Sequence, residues 1–157
     1  QQQAAAVHRA LADLLPAHGD TLGINFAALQ LDLTSLNSEL RGIAANLGDT
    51  PLLGSHPVYQ YLARGYDLNI RSVHWEPDAM PAAEGWAELA ELRNTHPARV
   101  LLWEDAPDKS IVDELKAQGV RSVVFAPCAN RSGNGTDNWL KVMRANVEAL
   151  RSALGVE

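Results

Sequence analysis

The sequence predicts an α/β fold, in which a four-stranded parallel sheet is flanked by helices and preceded by a long lobe-bridging helix. Two observations predict it. Four short apolar runs alternate with helical patterns of about 10 to 15 residues, which is the order typical of βαβ units and parallel sheets. Ahead of them, residues 21–47 carry apolar side chains at intervals of three and four with no intervening proline, which indicates one long helix.

The N-terminal part is predicted to be two helices. Residues 1–15 are rich in Ala, Leu, Gln and Arg, which favour helices, and residues 16–20 interrupt that pattern. The second helix, over 21–47, would span on the order of 37 Å, longer than a typical domain helix. Residues 48–51, Gly-Asp-Thr-Pro, end it.

The remaining elements alternate between strands and helices. Pro57 suits a first helical position, because its missing N–H would have no intrahelical partner there. His56 is therefore expected at the carboxyl end of a strand, just before a helix. The predicted strands are 52–53, 70–73, 100–103 and 121–125, and the predicted helices are 57–65, 82–95, 108–118 and 137–154.

The composition limits the classes of function. The 157 residues are 46% hydrophobic and 20% charged, which is typical of a globular protein with a real core. The net charge of −6 argues against nucleic-acid binding, because no basic face neutralises phosphates. Cys128 is the only cysteine, so no internal disulfide is possible. The first residues have neither the charged start nor the apolar core of a signal peptide, and we expect the chain to be a piece of a longer protein.

Polar side chains follow each predicted strand. The carboxyl ends of parallel strands share one edge, where α/β proteins bind ligands. His56, Glu104 and Cys128 are expected at this edge, together with His74 and Glu76. Imidazole, carboxylate and thiolate groups all bind transition metals. The same set could instead serve nucleophilic catalysis, with Cys128 as nucleophile and His56 or Glu104 as its base.

Each of these residues also has a structural explanation. Cys128 can be a small buried apolar side chain, and Asp105 can cap the helix that follows it. Glu76 is better explained as part of a solvated turn, and His74 as a packed or hydrogen-bonded histidine. The glycines of residues 133–135 could cradle an anion before the last helix, but this signal is weak alone.

Several motifs follow one another in an order and spacing that are fairly specific. They are Ala10 to Leu15, Asn25-Phe26 with the leucines that follow, Ser55 to Leu68, Glu76-Pro77-Asp78, Trp103-Glu104, and Met143 to Asn146. Together they resemble the C-terminal half of the periplasmic zinc or manganese substrate-binding proteins of ABC importers, the zinc-uptake and TroA-like family. The resemblance runs over nearly the whole chain.

The resemblance implies a metal site. In that family two lobes close over one metal ion that is held by histidines and carboxylates. The resemblance places a metal ligand at His56 and the family's last ligand, an aspartate, near Ala126. Because this chain has no aspartate there, Cys128 or Glu104 is the candidate replacement. Zinc is the expected ion, with manganese or iron possible, since thiolate and imidazole favour zinc whereas manganese prefers oxygen.

The resemblance also divides the chain and implies its partners. Residues 1–20 would be an N-terminal helix left from the missing lobe, 21–48 the bridging helix, and 49–157 the C-terminal α/β metal-binding lobe. The implied partners are a divalent metal ion, an ABC permease in the inner membrane and the missing N-terminal lobe. The implied location of this protein is the periplasm, or an extracytoplasmic, membrane-associated position. One lobe supplies at most half of the ligands, so we expect weak metal binding by this chain alone.

Two other functions remain open from the residues themselves. One is an α/β hydrolase-type enzyme that uses Cys128, although Cys128 does not lie in an obvious nucleophile elbow, and Asn134 stands where a phosphatase loop would need arginine. The other is a plain α/β interaction domain, for which a receiver-like module would need an acidic pair where His56 stands. The resemblance favours binding over either, and over catalysis of any kind.

Overall fold

The computed structural model describes residues 1–128 and 138–155. It confirms the predicted α/β class, with a four-stranded parallel sheet preceded by a long helix. The strands are β1 (Leu52–Gly54), β2 (Ile70–Ser72), β3 (Val100–Trp103) and β4 (Arg121–Val124). The helices of the described residues are α1 (Gln2–Leu14), α2 (Gly19–Leu47), α3 (Gln60–Tyr66), α4 (Ala83–Thr95), α5 (Lys109–Ala117) and α6 (Trp139–Leu154), with a 3-10 turn at Pro16–His18.

The chain forms two compact units, Gln1–Leu40 and Arg41–Glu157, and the boundary falls inside α2. The first unit consists of α1, the 3-10 turn and most of α2, and in it the ring of His8 stacks on Phe26 with centroids 4.4 Å apart. The second unit contains the sheet and the remaining helices. The division into 1–20, 21–48 and 49–157 stays a prediction. No helix in the described ranges has both the length and the apolar character needed to cross a membrane.

The sheet has the strand order β2-β1-β3-β4, and every neighbouring pair is parallel. All residues of β1 and β3 are buried, as expected for central parallel strands that are covered on both faces. The edge strands are more exposed, and both carry an arginine on the solvent side, Arg71 in β2 and Arg121 in β4. The apolar runs therefore distinguish the centre of the sheet from its edges.

One contiguous core lies between the sheet and the helices that follow β2 and β3. Leu89 of α4 and Ile111 and Leu115 of α5 are fully buried in it. Each such side chain contributes roughly 1.5–3 kcal/mol by burial. The strands β1 and β3 contribute Leu53, Leu101 and Trp103 to this core, and the segment after β2 contributes Val73 and Trp75. This packing holds the carboxyl ends of β1, β2 and β3 in place.

Helix α3 starts later than its sequence predicts. Pro57 was expected to open the helix, and this prediction is wrong, because the helix begins at Gln60 with Tyr59 as its N-cap residue. Tyr59 is buried, and its hydroxyl donates a 3.0 Å hydrogen bond to the Phe125 carbonyl oxygen. This distant contact holds Tyr59 at φ −96°, ψ 8°, outside the helix. The other boundaries agree with the predicted ones or differ from them by one or two residues.

Candidate metal centre

Three strand ends bring His56, Glu76 and Glu104 to one edge of the sheet. His56 follows β1, Glu76 lies in the loop after β2, and Glu104 comes directly after β3. Backbone hydrogen bonds continue beyond the strands to the residues just before these side chains. Ser55 N donates to Leu102 O at 2.8 Å, and Trp75 N donates to Ser55 O at 2.9 Å. The backbone segments that carry His56, Glu76 and Glu104 are thus joined to one another by hydrogen bonds.

The side-chain atoms of this group lie close together. His56 Nε2 is 3.1 Å from Glu76 Oε1 and 3.8 Å from Glu104 Oε1. One ligand atom from each of the three residues lies within 4.8 Å of the others. The side chains of His56 and Glu104 are 20% and 29% exposed, whereas that of Glu76 is 64% exposed. An imidazole and two carboxylates at such separations form a group that can hold a divalent cation.

Close packing beneath His56 explains why glycine precedes the Ser55-His56 pair. A Cβ atom on Gly54 would lie 2.9 Å from Ser72 Oγ and 2.9 Å from Tyr59 Cδ2. The ring of Tyr59 is buried and its hydroxyl is hydrogen-bonded to Phe125 O, so the side chain cannot move aside without losing that bond and its packing. Gly54 therefore allows β1 to approach β2 and Tyr59 closely at the point where the chain turns towards His56.

Cys128 lies after β4, apart from this group. Among the described residues, the cluster of possible ligand atoms contains His56, Glu76 and Glu104 and does not include Cys128. The Cys128 thiol faces the Ala126 carbonyl oxygen at 3.7 Å. Burial raises the pKa of the Cys128 thiol, which favours the neutral thiol over the thiolate that binds metals or attacks substrates. A metal role for His56, Glu104 and Cys128 stays a prediction.

Asn146 of α6 clamps the chain just after β4. It is 4% exposed, its Nδ2 donates to Ala126 O at 2.8 Å, and its Oδ1 accepts from Ala126 N at 3.0 Å. One amide side chain thereby satisfies both backbone groups of the residue at which the resemblance places the family's aspartate. The position of this strand exit depends on α6.

We expect Asn146→Ala to lower the free energy of unfolding by about 2 kcal/mol, because the partly buried backbone N–H and C=O of Ala126 both lose their partner. Urea unfolding measures this change. Asn46→Ala is the matched control, since Asn46 is also helical but exposed, and its side chain only bonds Gly42 O within its own helix. Equal stability of the two variants would show that the hydrogen bonds between Asn146 and Ala126 do not contribute to the free energy of unfolding.

The other residues at this edge have structural contacts. His74 is exposed, and its ring meets that of His56 edge-on with centroids 6.1 Å apart. Asp105 Oδ1 accepts from Ala106 N, while α5 begins after Asp108 without a side-chain cap. Burial and the nearby Glu104 carboxylate raise the pKa of Tyr59, which keeps its hydroxyl a donor.

Glu76 is the member of the group that sequence reasoning set aside. Its neighbours Pro77 and Asp78 suggested a solvated turn, and its exposure agrees with that description. The signal that pointed to Glu76 was its place after the second strand, at the same edge as His56. The proposed anion cradle at residues 133–135 lies outside the described residues.

The chain matches a known family over most of its length. Residues 1–153 match the family described as zinc-uptake complex component A, periplasmic. No curated protein matches the chain.

Solved structures share the fold. The Zn(II)-bound ZnuA-like domain of Streptococcus pneumoniae AdcA has a TM-score of 0.81 at 23% identity, over 93% of this chain and 57% of that chain. The metal-dependent lipoprotein YcdH from Bacillus subtilis has a TM-score of 0.81 at 20% identity, with the same coverages of 93% and 57%. The periplasmic zinc-binding protein TroA from Treponema pallidum has a TM-score of 0.66 at 21% identity, over 96% of this chain and 58% of that chain. The chain thus spans under two thirds of the length of these proteins.

Proposed function

The chain belongs to the family of periplasmic zinc-uptake complex component A proteins, and on this premise we propose that it captures a divalent metal ion, zinc, for an ABC importer. In this proposal it is the C-terminal lobe of the solute-binding component, which acts in the periplasm and delivers the ion to a permease in the inner membrane. Its role is binding, with no chemical conversion of the ion.

The observation that supports this proposal most directly is the pair formed by His56 and Glu104. His56 Nε2 and Glu104 Oε1 lie 3.8 Å apart at the edge of the sheet where α/β proteins bind ligands. Both side chains are partly exposed, so an ion can reach them, and partly buried, so their attraction for a cation is less screened than in bulk water. We propose that both bind the ion, with imidazole as the ligand that favours a transition metal over magnesium or calcium.

Zinc is the proposed ion for two reasons. A given set of nitrogen and oxygen ligands binds zinc more tightly than manganese. One of the proteins with the same fold is a Zn(II)-bound domain, and another is named a zinc-binding protein. Separately from the choice of ion, the net charge of −6 favours the approach of any cation over anions.

The remaining ligands are proposed to come from outside this chain. The chain spans 57% of the length of the first two similar structures, which leaves room for a second lobe. Closure of that lobe over His56 and Glu104 would add ligands and exclude water. The missing N-terminal lobe is therefore the proposed partner in binding, and this chain alone should bind zinc more weakly than a two-lobed protein.

Calorimetric titration of the chain with zinc, manganese and magnesium tests the proposal. We expect zinc to bind with a Kd in the micromolar range, manganese to bind more weakly, and magnesium to give no heat, since it prefers all-oxygen octahedral sites. Absence of zinc binding at millimolar concentrations would contradict metal capture by this lobe. Manganese binding tighter than zinc would contradict the choice of ion.

A further inference from the structure

We infer that Glu76 is a direct ligand of the captured ion, so that one lobe supplies three ligands from the ends of β1, β2 and β3. This inference rests on the proposed function, which needs only His56 and Glu104. It assigns to the loop after β2 the carboxylate that the resemblance expects near Ala126, after β4.

Both carboxylates approach the same nitrogen of the imidazole ring. Glu76 Oε1 and Glu104 Oε1 lie 3.1 Å and 3.8 Å from Nε2 of His56. A carboxylate that only orients a metal-binding histidine contacts the other ring nitrogen, away from the ion. Glu76 instead lies on the side of the ring to which Glu104 also points. An ion bound at Nε2 would therefore meet both carboxylates.

The separations fit a small cation with short bonds. Zinc bonds to nitrogen and oxygen of about 2.1 Å in a tetrahedral site place neighbouring ligand atoms about 3.4 Å apart. The two distances from Nε2, 3.1 Å and 3.8 Å, lie on either side of this value. The three ligand atoms all lie within 4.8 Å of one another, so small side-chain rotations suffice to surround an ion.

The backbone that carries Glu76 is held on both sides, whereas its side chain is exposed. Trp75 N donates to Ser55 O at 2.9 Å, which ties the loop to the residue before His56. Asp108 N donates to Pro77 O at 2.8 Å, which ties the loop to the start of α5. The side chain of Glu76 is 64% exposed and can rotate about a fixed base. This combination suits a ligand that must admit an ion and then close on it.

The described residues that follow β4 supply fewer ligand atoms for the ion. Ala126 has no donor side chain, and its backbone N–H and C=O are both engaged by Asn146. The thiol of Cys128 faces Ala126 O and does not belong to the cluster of ligand atoms among the described residues. Two carboxylates and a neutral imidazole would balance the charge of a divalent ion without any ligand from β4.

The test compares Glu76→Gln with Asp78→Asn, a matched control that removes one carboxylate charge from the same exposed turn. Zinc affinity is measured by competition with a chromophoric chelator. Cobalt(II) absorption provides a second readout, because its d–d bands depend on the number and type of ligands. We expect Glu76→Gln to weaken zinc binding by about tenfold or more and to change the cobalt spectrum. Even the loss of a residue that only hydrogen-bonds to a metal ligand lowers metal affinity by roughly tenfold. Asp78→Asn should change affinity by less than about twofold, which is the effect of net charge alone at an exposed site.

Two reference variants separate the inference from the proposed function. If Glu76→Gln behaves like Asp78→Asn while His56→Ala loses zinc, Glu76 is not a ligand but the site at His56 stands. If Cys128→Ala loses affinity and Glu76→Gln does not, the ligand comes from the exit of β4 and the inference is overturned. If the unaltered chain binds no zinc, the proposed function fails and the inference fails with it. Circular dichroism of each variant confirms that the fold is retained.

Discussion

Replacement of His56 by alanine is expected to weaken zinc binding by more than about 100-fold. Loss of a residue that only hydrogen-bonds to a metal-binding histidine already lowers metal affinity by roughly 10- to 100-fold, and loss of the histidine itself should cost more. His56 Nε2 lies within 4 Å of both nearby carboxylates, at 3.1 Å from Glu76 and 3.8 Å from Glu104. Its loss would leave only carboxylate oxygens, which favour hard cations over zinc. Calorimetry measures the change directly.

Thermal unfolding gives an independent measure of the same change. Zinc at about 100 times the Kd of the unaltered chain should stabilise that chain by about 2.7 kcal/mol and the His56→Ala variant by less than about 0.4 kcal/mol. His18→Ala is the control, since His18 is exposed on the 3-10 turn and far along the chain from the sheet. A His56→Ala variant that binds zinc as tightly as His18→Ala would exclude His56 as a ligand.

Trp103→Ala is expected to cause the largest loss of stability, about 3–5 kcal/mol in the free energy of unfolding. Trp103 is the last residue of the central strand β3, is 0% exposed, and packs against Trp75 with ring centroids 6.4 Å apart. Its removal would leave a large cavity between the sheet and its helices. Because Glu104 follows directly, zinc binding should weaken in the same variant. Urea denaturation measures the stability, and calorimetry the affinity.

Trp139→Ala makes the same chemical change at a site where burial is incomplete. Trp139 is the first residue of α6 and is 45% exposed. We expect this variant to lose less than about 1 kcal/mol, as is usual for surface substitutions. Comparable losses at Trp103 and Trp139 would show that the core beneath Glu104 is not closely packed.

Local patterns of apolar residues in the sequence predict most of the secondary-structure elements. The apolar runs of β1 and β3 are buried along their whole length, and a strand covered on both faces can be recognised without knowledge of its neighbours. The long helix α2 follows from spacing alone. The start of α3 does not, because the bond from Tyr59 to Phe125 O joins residues 66 positions apart and overrides a proline that favours a helix start.

The sequence by itself determined that α/β elements alternate, and that histidine, carboxylate and thiol groups follow the strands. Only the tertiary structure decided which of these groups meet. The order β2-β1-β3-β4 places β1 between β2 and β3, so His56, two residues beyond the end of β1, lies beside Glu76 and Glu104. Neighbouring strands are about 4.8 Å apart, and β4 is two strands from β1, so the residues that follow it start about 10 Å away from His56. Chain order does not specify strand order, because these strands have similar apolar residues and their pairing depends on contacts between distant segments.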